Sequence, residues 1–259
     1  MTFLSLFAGI GGMDLGLERA GMKCIGQVEI DLFCQKVLAK HWPDVPRWGD
    51  IKKFKGEMLN EKPDLICGGF PCQDISNAGK RAGINGSRSG LWSEFFRLIC
   101  EIRPRYVLVG NVAALLIRGF DRVLGDLASI GYDAEWSVFP ACALGAPHSR
   151  ERLFLFAYAN QIGFLGRFHP NEPPPRCSHW KATQGKTKWA DMELWLRKTF
   201  QVGDGANNVS STAGIPDGVP EELDIESDAL GNAVVPQVAQ WIGERIMESV
   251  VGENEGADD

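Results

Sequence analysis

Short apolar runs alternate along this chain with stretches in which apolar residues recur every three or four positions. The runs FLSLF, CIGQVEI, DLICGG, RYVLV, YDAEWSVF and RLFLFAYA have the β-branched and aromatic content of strands. Between them, Met13 to Ala20, Leu32 to Lys40, Leu91 to Glu101 and Phe120 to Ile130 have helical spacing. This alternation predicts an α/β sheet with crossover helices. From Gln161 to Asp228 the periodicity fades into Pro173-Pro174-Pro175 and turns rich in Gly, Asn and Ser, which predicts an inserted lobe or long loop system. Val234 to Val251 is helix-like again, and the tail GENEGADD is expected to fray. The expected division is one body from 1–160 and 229–259, interrupted by a small lobe at 161–228.

Composition adds limits to that picture. A chain of 259 residues with 44% hydrophobic content can bury one full core. It has no apolar run near the ~18 to 20 residues that span a bilayer, and its opening MTFLSLFAGIGG lacks a basic leader, so a soluble, cytoplasmic protein without membrane partners is expected. The seven cysteines, at 24, 34, 67, 72, 100, 142 and 177, are odd in number and form no C-x-x-C pair. That spacing argues for reduced thiols and against a disulfide framework or a bound metal. A net charge of −6 and a pI near 5.4 count against generic nucleic-acid binding, which leaves a basic footprint. The average conceals an asymmetry: Arg176, Lys181, Lys186, Lys188 and Arg197 cluster together, whereas Asp204 to Asp228 carries acids and no Lys or Arg. A local basic surface fits this pattern, and a long basic groove does not.

Two constellations carry chemistry. The first begins where FLSLF runs into Ala8-Gly9-Ile10-Gly11-Gly12 and then a helix. Glycines at a strand-to-helix turn let a ligand approach the backbone and the free N–H groups of the helix start. Glu29 closes the second strand about 20 residues later, where an acidic side chain reaches ribose hydroxyls in nucleotide-binding folds. Asp50 is expected to end a third strand on the same edge. The spacing G-x-G-G suits a cofactor without a pyrophosphate better than a dinucleotide. In the second constellation, Gly68-Gly69-Phe70-Pro71-Cys72-Gln73 follows a fourth strand at its carboxyl end, where open α/β sheets place their chemistry. Packing accounts poorly for a cysteine presented there. The following loop, with Ser76, Arg81 and Arg88 among its glycines, reads as a lid able to touch phosphates.

Taken together and in order, LFAGIGG, VEID, GDI, GGFPCQDIS, SRSGLW, APHSRERLFLFA and LGNAVVP resemble the motif set of the cytosine-5 DNA methyltransferases. The resemblance covers Thr2 to Asn160 and resumes at Leu230. It implies a Rossmann-like S-adenosylmethionine-dependent methyltransferase sheet with a small inserted target-recognition lobe. It further implies that Phe7, Gly9, Ile10, Gly11 and Gly12 surround the methionine part of S-adenosylmethionine. Glu29 and Ile30 would meet the ribose and Asp50 and Ile51 the adenine, with Gly69, Pro71, Leu91, Asn232 and Ala233 completing the site. The implied substrate is double-stranded DNA, contacted through Gln73, Ser76, Arg81 and Arg88, with the target cytosine flipped from the stack. Cys72 would attack carbon 6, and Arg150 and Arg152 would line the base pocket and lower the thiol pKa.

The pattern breaks at two places. Where similar proteins carry Glu-Asn-Val this chain reads Gly110-Asn111-Val112, so the carboxylate that holds the cytosine at nitrogen 3 is absent. Acid assistance of that kind is worth roughly 10² to 10⁴ in rate. Before LGNAVVP, where basic side chains are common in similar proteins, stands Leu223-Asp224-Ile225-Glu226-Ser227-Asp228. Slow methylation, a catalytically silent or engineered-inactive protein that binds DNA and cofactor, an altered donor and an RNA substrate are the alternatives these departures leave open.

Overall fold

A computed structural model describes residues 1–71, 91–141, 150–160 and 234–255. Its centre is a seven-stranded sheet: β1 (Thr2–Leu6), β2 (Lys23–Val28), β3 (Arg47–Trp48), β4 (Leu65–Gly68), β5 (Tyr106–Val112), β6 (Tyr132–Pro140) and β7 (Glu151–Ala159). The spatial order is β3-β2-β1-β4-β5-β7-β6. The first five strands run parallel, and β7 enters antiparallel between β5 and the edge strand β6. The predicted α/β sheet is therefore present, with an antiparallel hairpin added at one side. The central strands β1 and β4 are buried along almost their whole length, as expected of parallel strands covered on both faces.

Helices cover both faces. On one lie α3 (Leu91–Ile102) and α4 (Phe120–Ser129). Trp92, Phe95, Leu98, Ile99 and Ile102 of α3, and Phe120, Val123 and Leu127 of α4, recur at three- and four-residue intervals and bury one stripe of each helix. They join Leu4, Leu6, Ile66, Val107, Val109, Leu153 and Leu155 from the sheet in one core. The other face takes α1 (Gly12–Arg19) and α5 (Pro236–Glu255). There Met13, Leu17, Val238, Ala239, Ile242 and Ile246 meet Phe3, Leu65, Cys67, Leu108, Phe154 and Phe156. The remaining helix, α2 (Leu32–His41), starts on Asp31, whose side chain accepts from the Cys34 N–H at 2.8 Å.

Small residues set the distance between α1 and α5. A Cβ added at Gly12 would run into the Val234 carbonyl, and one at Gly243 would lie 2.7 Å from Ala20 Cβ. At Gly16 it would lie 2.5 Å from Ala239 Cβ. The two backbones thus touch through glycine, and α5 closes the layer that α1 opens.

Two expectations shift in detail. Strand β3 ends at Trp48, so Asp50 stands two residues beyond it and opens a turn. Strand β5 continues past RYVLV to Val112, which puts Gly110 inside the sheet, opposite Phe154 of β7. The proposed lobe at 161–228 lies outside the described residues.

Candidate active site

The carboxyl ends of β1, β2, β4 and β5 converge, and each contributes one piece. After β1 the chain turns through Phe7 at φ 53° and Gly9 at φ 57°, then reaches Gly11 at φ 83°, which caps α1. Left-handed backbone suits glycine and costs a phenylalanine about 1 kcal/mol or more, so Phe7 is held there by its surroundings. Its ring stacks on Phe95 with centroids 6.4 Å apart.

Glu29 follows β2 and ties this turn to α2. Its Oε2 accepts from the Gly9 N–H at 2.7 Å, and its Oε1 from the Asp31 N–H at 2.8 Å. Only 9% of the residue is exposed, and burial raises its pKa, against the pull of the Asp31 and Gly9 N–H groups. Each oxygen retains a lone pair for a further donor. Ile30 and Leu32, at 69% and 72% exposure, flank it as bare apolar surface. A carboxylate that can accept from hydroxyls, beside exposed aliphatic side chains that can pack on a ring and an open glycine turn, suits a nucleoside.

Asp50 builds the next wall. Its carbonyl accepts from the N–H groups of Lys53 and Phe54, and its Oδ1 accepts from Lys52 N–H at 3.0 Å. The turn-capping role is thus present, and Ile51 beside it is buried. Leu91 is half-buried at the start of α3 against the same core.

On the other side of β1, the chain leaves β4 through Gly68, Gly69 and Phe70 to Pro71. The Phe70 carbonyl accepts from Asn111 Nδ2 at 3.3 Å, which pins the approach to Cys72 against β5. A Cβ at Gly69 would lie 2.6 Å from the Gly110 carbonyl, so these two glycines let the segments approach. At Gly110 itself a Cβ would lie 2.9 Å from Met13 Cε and 3.2 Å from Phe154 Cε1. The room for a side chain at its root is therefore already taken by Met13 and Phe154. Arg152 stands two residues before Phe154 on the same face of β7, opposite Val112, and Arg150 is exposed just ahead of the strand.

Cys72, Gln73, Ser76, Arg81, Arg88, Asn232 and Ala233 lie outside the described residues. The structure brings together Phe7, Gly9, Ile10, Gly11, Gly12, Glu29 and Ile30 at one corner, and Gly69, Pro71 and Gly110 at the next. Among the described residues no group of three His, Cys, Asp or Glu could hold a metal ion, and no helix is long and apolar enough to cross a membrane.

Sequence reasoning missed Asp14. It is fully buried in α1 directly behind the glycine turn, where Ser5 Oγ donates to its Oδ2 at 2.8 Å and Gln27 Nε2 to its Oδ1 at 2.9 Å. Gln27 Oε1 in turn accepts from Arg47 Nε at 3.0 Å. Burial pushes Asp14 up to about 6, against the opposing pull of Gln27 and Ser5. In sequence it reads as an ordinary first-turn acid, so nothing there marks it as buried. The buried thiols Cys24, Cys34 and Cys67 are all pushed up, chiefly by burial, and are poor nucleophiles.

Comparison with known proteins agrees with the fold. The family model for C-5 cytosine-specific DNA methylase matches residues 1–201. The chain is 37% identical to Type II methyltransferase M2.BsuMI of Bacillus subtilis, over 96% of this chain and 76% of that protein. It is 38% identical to Type II methyltransferase M.Eco47II of Escherichia coli, over 62% of this chain and 40% of that protein. Several such relatives are matched over less than half of their own length. The Entamoeba histolytica methyltransferase EhMeth shares the fold, with a TM-score of 0.56 at 20% identity over 64% of this chain and 55% of that one. With a family model spanning most of its length and a relative 37% identical over 96% of it, the chain belongs to the C-5 cytosine-specific DNA methylases.

Proposed function

We propose that this chain transfers a methyl group from S-adenosylmethionine to carbon 5 of cytosine in double-stranded DNA. The observation that carries the reading is the Gly9–Glu29–Asp31 bridge beside exposed Ile30, a nucleoside-binding corner next to the strand end that leads into Cys72. S-adenosylmethionine, when bound, supplies an electrophilic methyl group on a sulfonium sulfur. Phe7, Gly9 to Gly12, Glu29, Ile30, Asp50, Ile51, Gly69, Pro71, Leu91, Asn232 and Ala233 would hold it. Cys72, as thiolate, adds to carbon 6 of a flipped cytosine and turns carbon 5 into a nucleophile. Loss of the carbon-5 proton after transfer expels the cysteine and restores the ring. Arg150 and Arg152 stabilise the thiolate and line the base pocket, while Gln73, Ser76, Arg81 and Arg88 meet the DNA. Residues 161–228 form the target-recognition lobe. No carboxylate stands at position 110 to support protonation of nitrogen 3.

The test is transfer of a labelled methyl group to DNA, read by nucleoside mass spectrometry, with Cys72→Ser alongside. Modified cytosine from the natural chain and none from the variant is the expected result. Full activity in Cys72→Ser would sink the mechanism. One observation favours a second reading, a silent binding protein: Met13 and Phe154 already crowd the root of position 110. That reading predicts saturable cofactor binding without modified cytosine.

A further inference from the structure

We infer that Arg97 is a positioning residue that holds the adenine-binding turn and tunes selectivity for the nucleobase; the inference rests on the cofactor reading above. Arg97 lies on the helix α3, two turns after Leu91, and reaches across to the turn that follows β3. Its Nη2 donates to the carbonyls of both Ile51 and Phe54, each at 2.9 Å. Two carboxylates aim it there: Nε donates to Glu94 at 2.9 Å and Nη1 to Glu101 at 2.6 Å. Glu101 also accepts from Gly56 N–H at 3.1 Å, so the same pair grips the turn at both ends.

The need for such a clamp follows from the turn itself. Within it the Asp50 carbonyl takes two N–H groups, from Lys53 and Phe54. The Ile51 and Phe54 carbonyls, by contrast, turn away from the loop toward α3, and their side chains are buried in the core. A planar guanidinium is suited to this double duty, since one fork can satisfy carboxylates and carbonyls in fixed directions. The charge pattern of α3, with Glu94 and Glu101 three and four residues from Arg97, looks in sequence like a solvated helix face. Its extra function appears only when the turn is seen beneath it. Because α3 begins at Leu91, Arg97 also fixes the adenine turn to the helix on which a second cofactor contact is proposed.

The test uses the full chain and two ligands, S-adenosylhomocysteine and its hypoxanthine counterpart S-inosylhomocysteine, by titration calorimetry. Arg97→Met is expected to weaken S-adenosylhomocysteine by about ten- to a hundredfold, the range for losing charge-assisted hydrogen bonds. It should also shrink the preference for adenine over hypoxanthine, with Arg97→Lys intermediate. Glu248→Gln, which weakens an exposed ion pair with Arg245 on α5 and leaves α3 and its turn untouched, should keep the preference. A second readout needs no ligand: amide exchange at Lys53 and Phe54 should accelerate in Arg97→Met. Unchanged exchange, an unchanged base preference, or an equal loss in Glu248→Gln would overturn the clamp. If the natural chain binds neither ligand while the exchange difference appears, the cofactor reading fails and the clamp survives as a structural contact without base selectivity.

Discussion

The sheet has two halves, meeting between β4 and β5, and they treat polar groups in opposite ways. The half built on β3, β2, β1 and β4 buries Ser5, Asp14, Gln27 and Glu29; the first three hydrogen-bond to one another, and Glu29 bonds to the glycine turn. In the half built on β5, β7 and β6, Asn111 is the buried polar residue among those described, and the strand position beside it is a glycine wedged by Met13 and Phe154. One half thus keeps two carboxylates at or behind its strand ends, and the other has lost the carboxylate expected at its own. Under the proposed reading, cofactor holding falls to the first half and base activation to the second, and the departure at Gly110 bears on the second.

The largest effect is expected from giving the second half its missing acid. Gly110→Glu should raise single-turnover methyl transfer by roughly 10² to 10⁴, provided Met13 swings aside, as the flexible end of a thioether can. Equal rates in the two proteins would show that another group or water supplies the proton. A fall in rate with cofactor affinity intact would show that the natural chain relies on the present packing around Gly110.

A smaller effect tests the first half from behind. Asp14 has a folded pKa of about 6 against an ordinary 3.8, so the folded state holds its proton more tightly than the unfolded chain does. That contribution is complete below pH 3.8 and is lost as pH rises through about 6. The loss at neutral pH is about 2 to 3 kcal/mol by linkage. Asp14→Asn keeps an acceptor for Gln27 and cannot ionise. Urea unfolding of the variant should lose the natural protein's decline between pH 4 and 7. Parallel pH profiles would mean that the carboxylate does not titrate in that window.

The smallest effect touches the cofactor corner of the first half. Glu29→Ala should weaken S-adenosylhomocysteine by about tenfold in calorimetry, through loss of the charge-assisted hydrogen bond to Gly9 and of the proposed one to the ribose. DNA affinity should hold. Were DNA affinity to fall in step, the two halves would be coupled and the contrast between them would not stand.

Much of the first half was legible in the sequence because its chemistry is local. A glycine turn, an acid one residue past β2 and a Pro-Cys after β4 each follow a strand directly, and periodicity locates strands well. Asp50 was expected to end a strand and instead opens the turn after one, since a two-residue strand has no periodicity to read. The antiparallel entry of β7 between β5 and β6 was not legible, because strand direction depends on the path of the connection and not on the strand's own residues. Gly110 was visible as a departure, but the filling of its space by Met13 and Phe154 joins residues 97 and 44 positions away in the chain. Asp14 and Arg97 were missed for the same reason: each looks like surface charge until the partner segment arrives.

The glycine seam between α1 and α5 has a consequence at the level of the gene. Every single-base missense change in a glycine codon gives a residue with a Cβ, and at Gly12, Gly16 and Gly243 that atom would strike the facing segment, within the opposite helix or at its end. Inheritance therefore offers these three positions no gentle variant. Any change there must be matched by a retreat of the facing backbone at Val234 or Pro236, or of the small side chains at Ala239 or Ala20. Two ends of the chain more than 200 residues apart are thereby bound to mutate together or not at all.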